Sequence, residues 1–239
     1  MLKLYKEQTK CLVALDSIIF GFDNEALKVL LVKRGIEPNN KTWSLMGGWL
    51  QPNEGLDEAA NRILKELTGL DNVYLEQVAA YGNPERDPVE RTVSITYFAL
   101  INVSDYGTNI SDDLEAKWFG LDELPELLFD HQTIVFDALQ RLRYKASHHF
   151  IGFELLPEKF TLPQLQKLYE AIYDVEFDKR NFSRKLLATN FLLKTEEKQR
   201  GYSKKGAYYY SVDKSKNDSG KATEHSFLIT TNAGSATLK

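Results

Sequence analysis

The segment from Gly47 to Gly69 constrains the fold more than any other stretch of the chain. A short strand-like run, Trp43-Ser44-Leu45-Met46, meets the pair Gly47-Gly48, which reads as a break. Beyond a polar turn, apolar residues fall at Leu56, Ala59, Ala60, Ile63, Leu64 and Leu67, at spacings of three, four and seven. This predicts an amphipathic helix over 56–68, closed by Gly69.

The surrounding runs are of strand type. Leu12–Phe20 and Leu27–Val32 flank a turn at Phe22–Glu25 and read as two antiparallel strands. A polar loop over 34–41, with Pro38, follows. Val73–Tyr81, Arg91–Asn102 and Ala116–Phe119 read as further strands, and Asp130 can cap a helix from His131 to about Lys145. The first 149 residues are therefore expected to form an α+β domain with a mixed sheet and few helices. From Phe160 to Asn190 the period turns helical. Thr161 can cap a first helix, with Pro163 near its start, and Asp178 a second. Phe191–Thr195 and Ala207–Val212 read as strands on either side of a polar turn at Glu196–Gly206. Helix, turn, helix and two strands make a second domain over 150–215. The composition of 216–239, rich in Ser, Thr, Asn, Gly and Ala, predicts a disordered tail.

Composition excludes several classes. Of 239 residues, 43% are hydrophobic and 27% charged, which is ordinary for a globular chain rather than a disordered or fibrous one. No run approaches the ~18 apolar residues that a membrane helix needs, and Met1–Glu7 lacks the pattern of a signal peptide. A lone cysteine, Cys11, placed in an apolar strand and expected to be inert, leaves no internal disulfide. A cytoplasmic protein without membrane partners is the expectation. The net charge of −4 hides an asymmetry: residues 1–149 carry 15 basic and 23 acidic side chains, whereas 178–206 carry 9 and 3. An acidic front and a basic back imply two modules with different partners.

The segment Gly48-x5-Glu54-x7-Arg62-Ile63-Leu64-Lys65-Glu66-Leu67-Thr68-Gly69-Leu70 resembles the Nudix box, G-x5-E-x7-R-E-U-x-E-E-x-G-U, where U is aliphatic. Gly48, Glu54, Arg62, Leu64, Glu66, Gly69 and Leu70 match. Arg86-Asp87-Pro88-x-x-Arg91 and the run after it look like the loop and strand of ADP-ribose-type Nudix domains. The resemblance implies a Nudix fold, an α/β/α sandwich around a mixed sheet. Two acids of the family's pattern are missing, replaced by Ile63 and Leu67, and neither side chain offers oxygen to Mg²⁺. The resemblance therefore implies a degenerate box with no catalytic residues, no metal ligands and no cofactor. An active hydrolase of a nucleoside diphosphate derivative, using the surviving acids, is the alternative.

Residues 155–212 resemble the winged helix-turn-helix of the Nudix-related transcriptional regulators of the NrtR and AraR type. Leu155–Leu162 and Asp178–Leu186 carry that resemblance. Phe182, Leu186 and Leu187 form an inward face, and Lys179, Arg180, Asn181, Ser183, Arg184 and Lys185 a face suited to base edges and phosphates. Arg200, Tyr202, Lys204 and Lys205 would lie in the wing. The resemblance implies a homodimeric regulator that binds a double-stranded operator and senses a small molecule. One branch of the family responds to ADP-ribose and controls NAD metabolism, another to sugars such as L-arabinose and controls their use. Loss of the metal-binding acids removes a bridge to pyrophosphate and tilts the reading towards a sugar. Lys41, Trp43, Gly48, Trp49, Glu66, Arg86, Asp87 and His131 are the candidate effector residues.

Overall fold

The apolar run that begins at Leu12 is an eleven-residue strand, β1 (Leu12–Phe22), buried along most of its length in a computed structural model of the chain. The structure describes residues 5–33, 41–71, 73–103, 115–148, 151–199 and 206–213. The expected tail and the wing loop with Arg200, Tyr202, Lys204 and Lys205 lie outside the described residues. The remaining elements are β2 (Leu27–Lys33), β3 (Trp43–Ser44), β4 (Met46–Trp49), α1 (Leu56–Thr68), β5 (Tyr74–Tyr81), β6 (Thr92–Asn102), β7 (Ala116–Gly120) and α2 (His131–His148). They continue as β8 (Phe160–Thr161), α3 (Leu162–Tyr173), α4 (Lys179–Ala188), β9 (Leu192–Gln199) and β10 (Ala207–Val212). Among the described residues no helix is long and apolar enough to cross a membrane.

By its contacts the chain divides into two compact units. One comprises Met1–Phe20, Lys28–Leu100 and Tyr106–Ala138, the other Gly21–Leu27, Ile101–Asp105 and Leu139–Lys239. Strands β1 to β7 make a seven-stranded sheet in the order β3-β2-β1-β6-β5, with β4 on β1 and β7 on β2. α1 packs its apolar face there: Ala59, Ala60 and Ile63 are buried in one cluster with Leu15 and Tyr97. Its N-terminus is closed by Glu58, whose carboxylate accepts from the Gly55 N–H at 2.8 Å. Gly69, at φ 72°, ends the helix and donates to the Lys65 carbonyl at 2.7 Å, as the glycine signal predicts.

Gly47-Gly48 do not break the chain. They are the middle of β4, which runs antiparallel to β1 with Gly47 opposite Asp16. A Cβ on Gly47 would stand 2.5 Å from Asp16 Oδ1 and 2.8 Å from the Leu15 carbonyl oxygen. Glycine is needed for close approach of two strands rather than for a turn. Cys11 also departs from expectation: it is exposed and precedes β1 instead of lying within it.

In the second unit β8, β10 and β9 form a three-stranded sheet. The Thr161 hydroxyl accepts from Gln164 N, Gln164 Oε1 accepts from Thr161 N at 2.8 Å, and Pro163 sits in the first turn of α3. The Asp178 carboxylate caps α4 by accepting from Asn181 N at 2.8 Å. β9 reaches Gln199, so the segment expected as a polar turn begins as strand. Its register against β10 shifts between Tyr208 and Tyr210. That irregularity carries Glu196 and Glu197 within a strand whose sequence reads as a turn.

Gly47→Ala is expected to destabilise the first unit by ~1–3 kcal/mol, because overpacking a close strand pair forces backbone shifts. Thermal unfolding should show this loss, and a Gly55→Ala control, where a Cβ meets nothing closer than 3.7 Å, should not.

Candidate functional site

α1 presents the Nudix-box positions, and their geometry differs from a metal cradle. Glu54 is held by Arg62 through a two-pronged pair, Nε to Oε2 at 2.8 Å and Nη2 to Oε1 at 2.6 Å. The same guanidinium donates to Glu66 Oε2 at 3.1 Å and to the Trp49 carbonyl at 3.0 Å. The hydrogen bond from Arg62 lowers the pKa of Glu54 below its ordinary value, and the pair raises that of Arg62 above its own. Ile63, 2% exposed, stands where the family has an acid, and it fills the space under Gly48, where a Cβ would come within 3.0 Å of it. Leu67 packs on the edge of the same cluster. A Nudix hydrolase needs a divalent cation on this helix. Two of its acidic positions are packed hydrocarbon and the remaining pair is clamped by Arg62, so the residues present do not fit that ion. Among the described residues no group of three or more His, Cys, Asp or Glu side chains is arranged to hold a metal.

Beside β4 lies a cleft of about 380 Å³ within the first unit. Its floor is a buried polar network centred on Asp16 of β1, which is 8% exposed. Asp16 Oδ2 accepts from Ser94 Oγ at 2.5 Å and from Arg86 Nη2 at 3.5 Å, and His131 Nε2 is 3.8 Å away. Arg86 also makes a bidentate pair with Asp130, Nε to Oδ2 at 2.9 Å and Nη2 to Oδ1 at 2.8 Å. Burial opposes the charge on Arg86, but Asp130 and Asp16 outweigh it and raise its pKa. Asp130, expected only as a helix cap, thus anchors this arginine at the start of α2. The Leu45 N–H donates to His131 Nδ1 at 3.1 Å, and Ser44 Oγ lies 3.3 Å from the same nitrogen. With Nδ1 accepting from the Leu45 N–H, the donor of the ring is Nε2, the nitrogen nearer Asp16. Asp87, also in the lining, accepts from Val89 N at 2.9 Å and Thr92 Oγ1 at 3.4 Å. Trp49, 51% exposed, lines the cleft from the end of β4.

Of the residues expected around an effector, Gly48, Trp49, Arg86, Asp87 and His131 line the cleft, and Lys41, Trp43 and Glu66 do not. Trp43 packs edge-on against Phe119, with Lys33 over its ring. Glu66 is turned to Arg62, and Lys41 is exposed on a loop at φ 75°. Asp16, Lys33, Ser44, Gly47, Leu67 and Phe129 line the cleft without having been anticipated. A usable signal existed for one of them: Asp16 is the only charged residue in the apolar run Leu12–Phe20.

In the second unit, α4 divides as the sequence predicts, with one correction. Phe182 and Leu186 are buried, Phe182 between the rings of Tyr169 and Phe177, while Lys179, Arg180, Asn181, Arg184 and Lys185 are exposed and Ser183 is half-buried. Leu187, expected on the inward face, is 41% exposed. Only one of two adjacent residues can face the core squarely at 3.6 residues per turn, and Leu186 occupies that position. Arg184 Nη2 donates to Asn181 Oδ1 at 3.0 Å, which orders two of the exposed polar side chains against each other.

A sheet-and-helix unit with a Nudix-type segment, followed by a winged helix with a cationic helix face, defines the class: a two-module protein of Nudix and winged-helix type. Residues 13–142 match the NUDIX domain family, and residues 152–212 match the NrtR DNA-binding winged helix domain. The ADPR responsive transcriptional repressor NtrR of Acinetobacter baylyi is 35% identical over 190 residues, 78% of this chain and 76% of that protein. The ADP-ribose pyrophosphatase of Methanocaldococcus jannaschii is 36% identical over 140 residues, 58% of this chain and 79% of the enzyme. The crystal structure of Shewanella oneidensis NrtR complexed with a 27mer DNA superposes with a TM-score of 0.76 at 30% identity, covering 84% of this chain and 93% of that one. The chain belongs to the NrtR family of Nudix-related transcriptional regulators.

Putting the missing acids back should separate packing from exposure. Ile63→Glu places a carboxylate in the Leu15–Tyr97 cluster and is expected to cost ~3 kcal/mol or more in chemical denaturation. Leu67→Glu, at the rim, should stay within ~1 kcal/mol of the parent.

Proposed function

We propose that this protein is a DNA-binding transcriptional repressor that responds to ADP-ribose and binds the nucleotide without hydrolysing it. The observation that carries the proposal is the pairing of two features in one chain. Metal positions on α1 are filled by Ile63, Leu67 and the Arg62–Glu54 clamp, and α4 exposes Lys179, Arg180, Asn181, Arg184 and Lys185. The effector is assigned to the cleft lined by Asp16, Gly48, Trp49, Arg86, Asp87 and His131. α4 is the recognition helix, with Ser183 among its contacts, and Arg200, Lys204 and Lys205 add cations along the DNA backbone, with the Tyr202 hydroxyl as a further donor. The protein acts as a homodimer, since two recognition helices on a two-fold axis match a palindromic operator. The Acinetobacter repressor and the Methanocaldococcus pyrophosphatase each carry ADPR or ADP-ribose in their names, which favours that effector over the sugar suggested by loss of the acids.

Two measurements test this reading. DNA selected from a randomised duplex library by the full-length protein should bind it specifically. Arg180→Ala/Arg184→Ala should weaken that binding by at least ~10-fold, because each base contact contributes ~1–3 kcal/mol. Unchanged affinity would refute α4 as the reading helix.

With the same DNA, saturating ADP-ribose should lower affinity by roughly 5–150-fold, the usual range of coupling between two sites. ADP-ribose incubated with the protein and Mg²⁺ or Mn²⁺ should be recovered intact. Stoichiometric excess release of AMP and ribose 5-phosphate would instead establish a hydrolase, the reading that likeness to the Methanocaldococcus enzyme favours.

A further inference from the structure

The exposed side of α4 has a midline, and Arg184 stands on it. At ~100° per residue, Arg184 is the position farthest around the helix from the buried pair Phe182 and Leu186. Arg180 lies one turn before it and Ala188 one turn after, and all three are exposed. When a helix lies in the major groove its midline meets base edges, while its flanks meet the sugar–phosphate walls. Asn181 orders Arg184 in advance: its Oδ1 accepts from Arg184 Nη2 at 3.0 Å. Asn181 is itself fixed by the cap of the helix, its N–H donating to Asp178 Oδ1 at 2.8 Å.

Nη2 belongs to both two-pronged edges of a guanidinium, one shared with Nε and one with Nη1. Whichever of its protons goes to Asn181, one edge keeps two parallel N–H groups. That edge only donates. In the major groove guanine presents two adjacent acceptors, O6 and N7, whereas adenine sets an amino donor beside N7 and thymine a methyl group near O4. Asn181 would read adenine by offering Oδ1 to N6 and Nδ2 to N7, but its Oδ1 is turned to the arginine.

We infer that Arg184 reads a guanine of the operator and that Asn181 is its positioning residue, holding the guanidinium before DNA arrives. This rests on α4 being the recognition helix, and it adds a base identity and a division of roles between two neighbouring side chains. Ordering a long side chain in the free protein removes part of the entropy lost on binding.

The experiment measures affinity for duplexes selected from a randomised library by the full-length protein, using wild type, Arg184→Ala, Asn181→Ala and Asn181→Asp. The selected DNA should contain a guanine whose exchange for adenine, with its complement, weakens wild type by about fivefold or more. Arg184→Ala should bind the two duplexes equally, with the slope of log affinity against log salt unchanged. Asn181→Ala should weaken the guanine duplex by roughly 2–10-fold, the effect of ordering one long side chain. It should leave an unrelated duplex unaffected, which a general loss of structure would not. Asn181→Asp, which keeps an accepting oxygen, should still prefer guanine. A uniform loss for Arg184→Ala on every sequence, with the salt slope reduced by about one, would make it a phosphate contact and overturn the assignment. So would selected DNA without such a guanine, or an Arg184→Ala variant that keeps the preference. An Asn181→Ala variant that loses a preference for adenine, or weakens all duplexes alike, would overturn the positioning role. Each of these results leaves α4 as the recognition helix, whereas unchanged binding by Arg180→Ala/Arg184→Ala removes both readings.

Discussion

Much of the first unit depends on a single buried charge. Asp16 lies in the middle of an apolar strand, where an unpaired carboxylate would be costly to keep ionised. Two groups from other parts of the chain answer it, Ser94 from β6 and Arg86 from the loop before it, and His131 from the first turn of α2 stands 3.8 Å away. Arg86 in turn holds Asp130, so one arginine joins β1 to the start of a helix far along the sequence. Gly47 completes the arrangement by letting β4 pass directly beside Asp16. Asp16, Gly47, Arg86 and His131 of this arrangement line the cleft.

A hydrolase helix and a structural helix can share a sequence pattern. In α1 the glycine–glutamate–arginine spacing is retained, but its carboxylates are turned to other work. Glu54 and Glu66 neutralise Arg62, and Arg62 ties α1 to the end of β4 through the Trp49 carbonyl. Ile63 supplies apolar packing where an acid would point to a metal. In this chain the pattern orients a helix against a glycine strand.

The second unit follows a different logic. Its core is aromatic, built from Tyr169, Phe177 and Phe182, and it fixes α3 against α4. Arg143 Nε donates to the Ile172 carbonyl at 2.7 Å and the Tyr173 hydroxyl to the Arg143 carbonyl at 2.8 Å, so the end of α2 is fastened to the end of α3. With one side of α4 anchored by Phe182 and Leu186, its cations are left on the other. That division turns a short amphipathic helix into a surface that can be read against DNA.

The sequence by itself determined the helices and their ends. Apolar spacing located α1 to the residue, Thr161 and Asp178 marked the starts of α3 and α4, and Gly69 marked a stop, because these signals act over one or two turns of chain. It also indicated the exposed cations of α4, since helical period alone separates them from Phe182 and Leu186. Tertiary structure decided what no local signal carries. Gly47-Gly48 became strand instead of turn because the constraints on them come from Asp16, thirty-one positions before Gly47, and from Ile63 of α1 under Gly48. Trp43 and Glu66 left the cleft for Phe119 and Arg62, while Asp16 and Ser44 entered it. Which side chains converge on a cavity is settled by strand register and by the pairing of buried charges, and those are long-range properties that spacing along the chain does not encode.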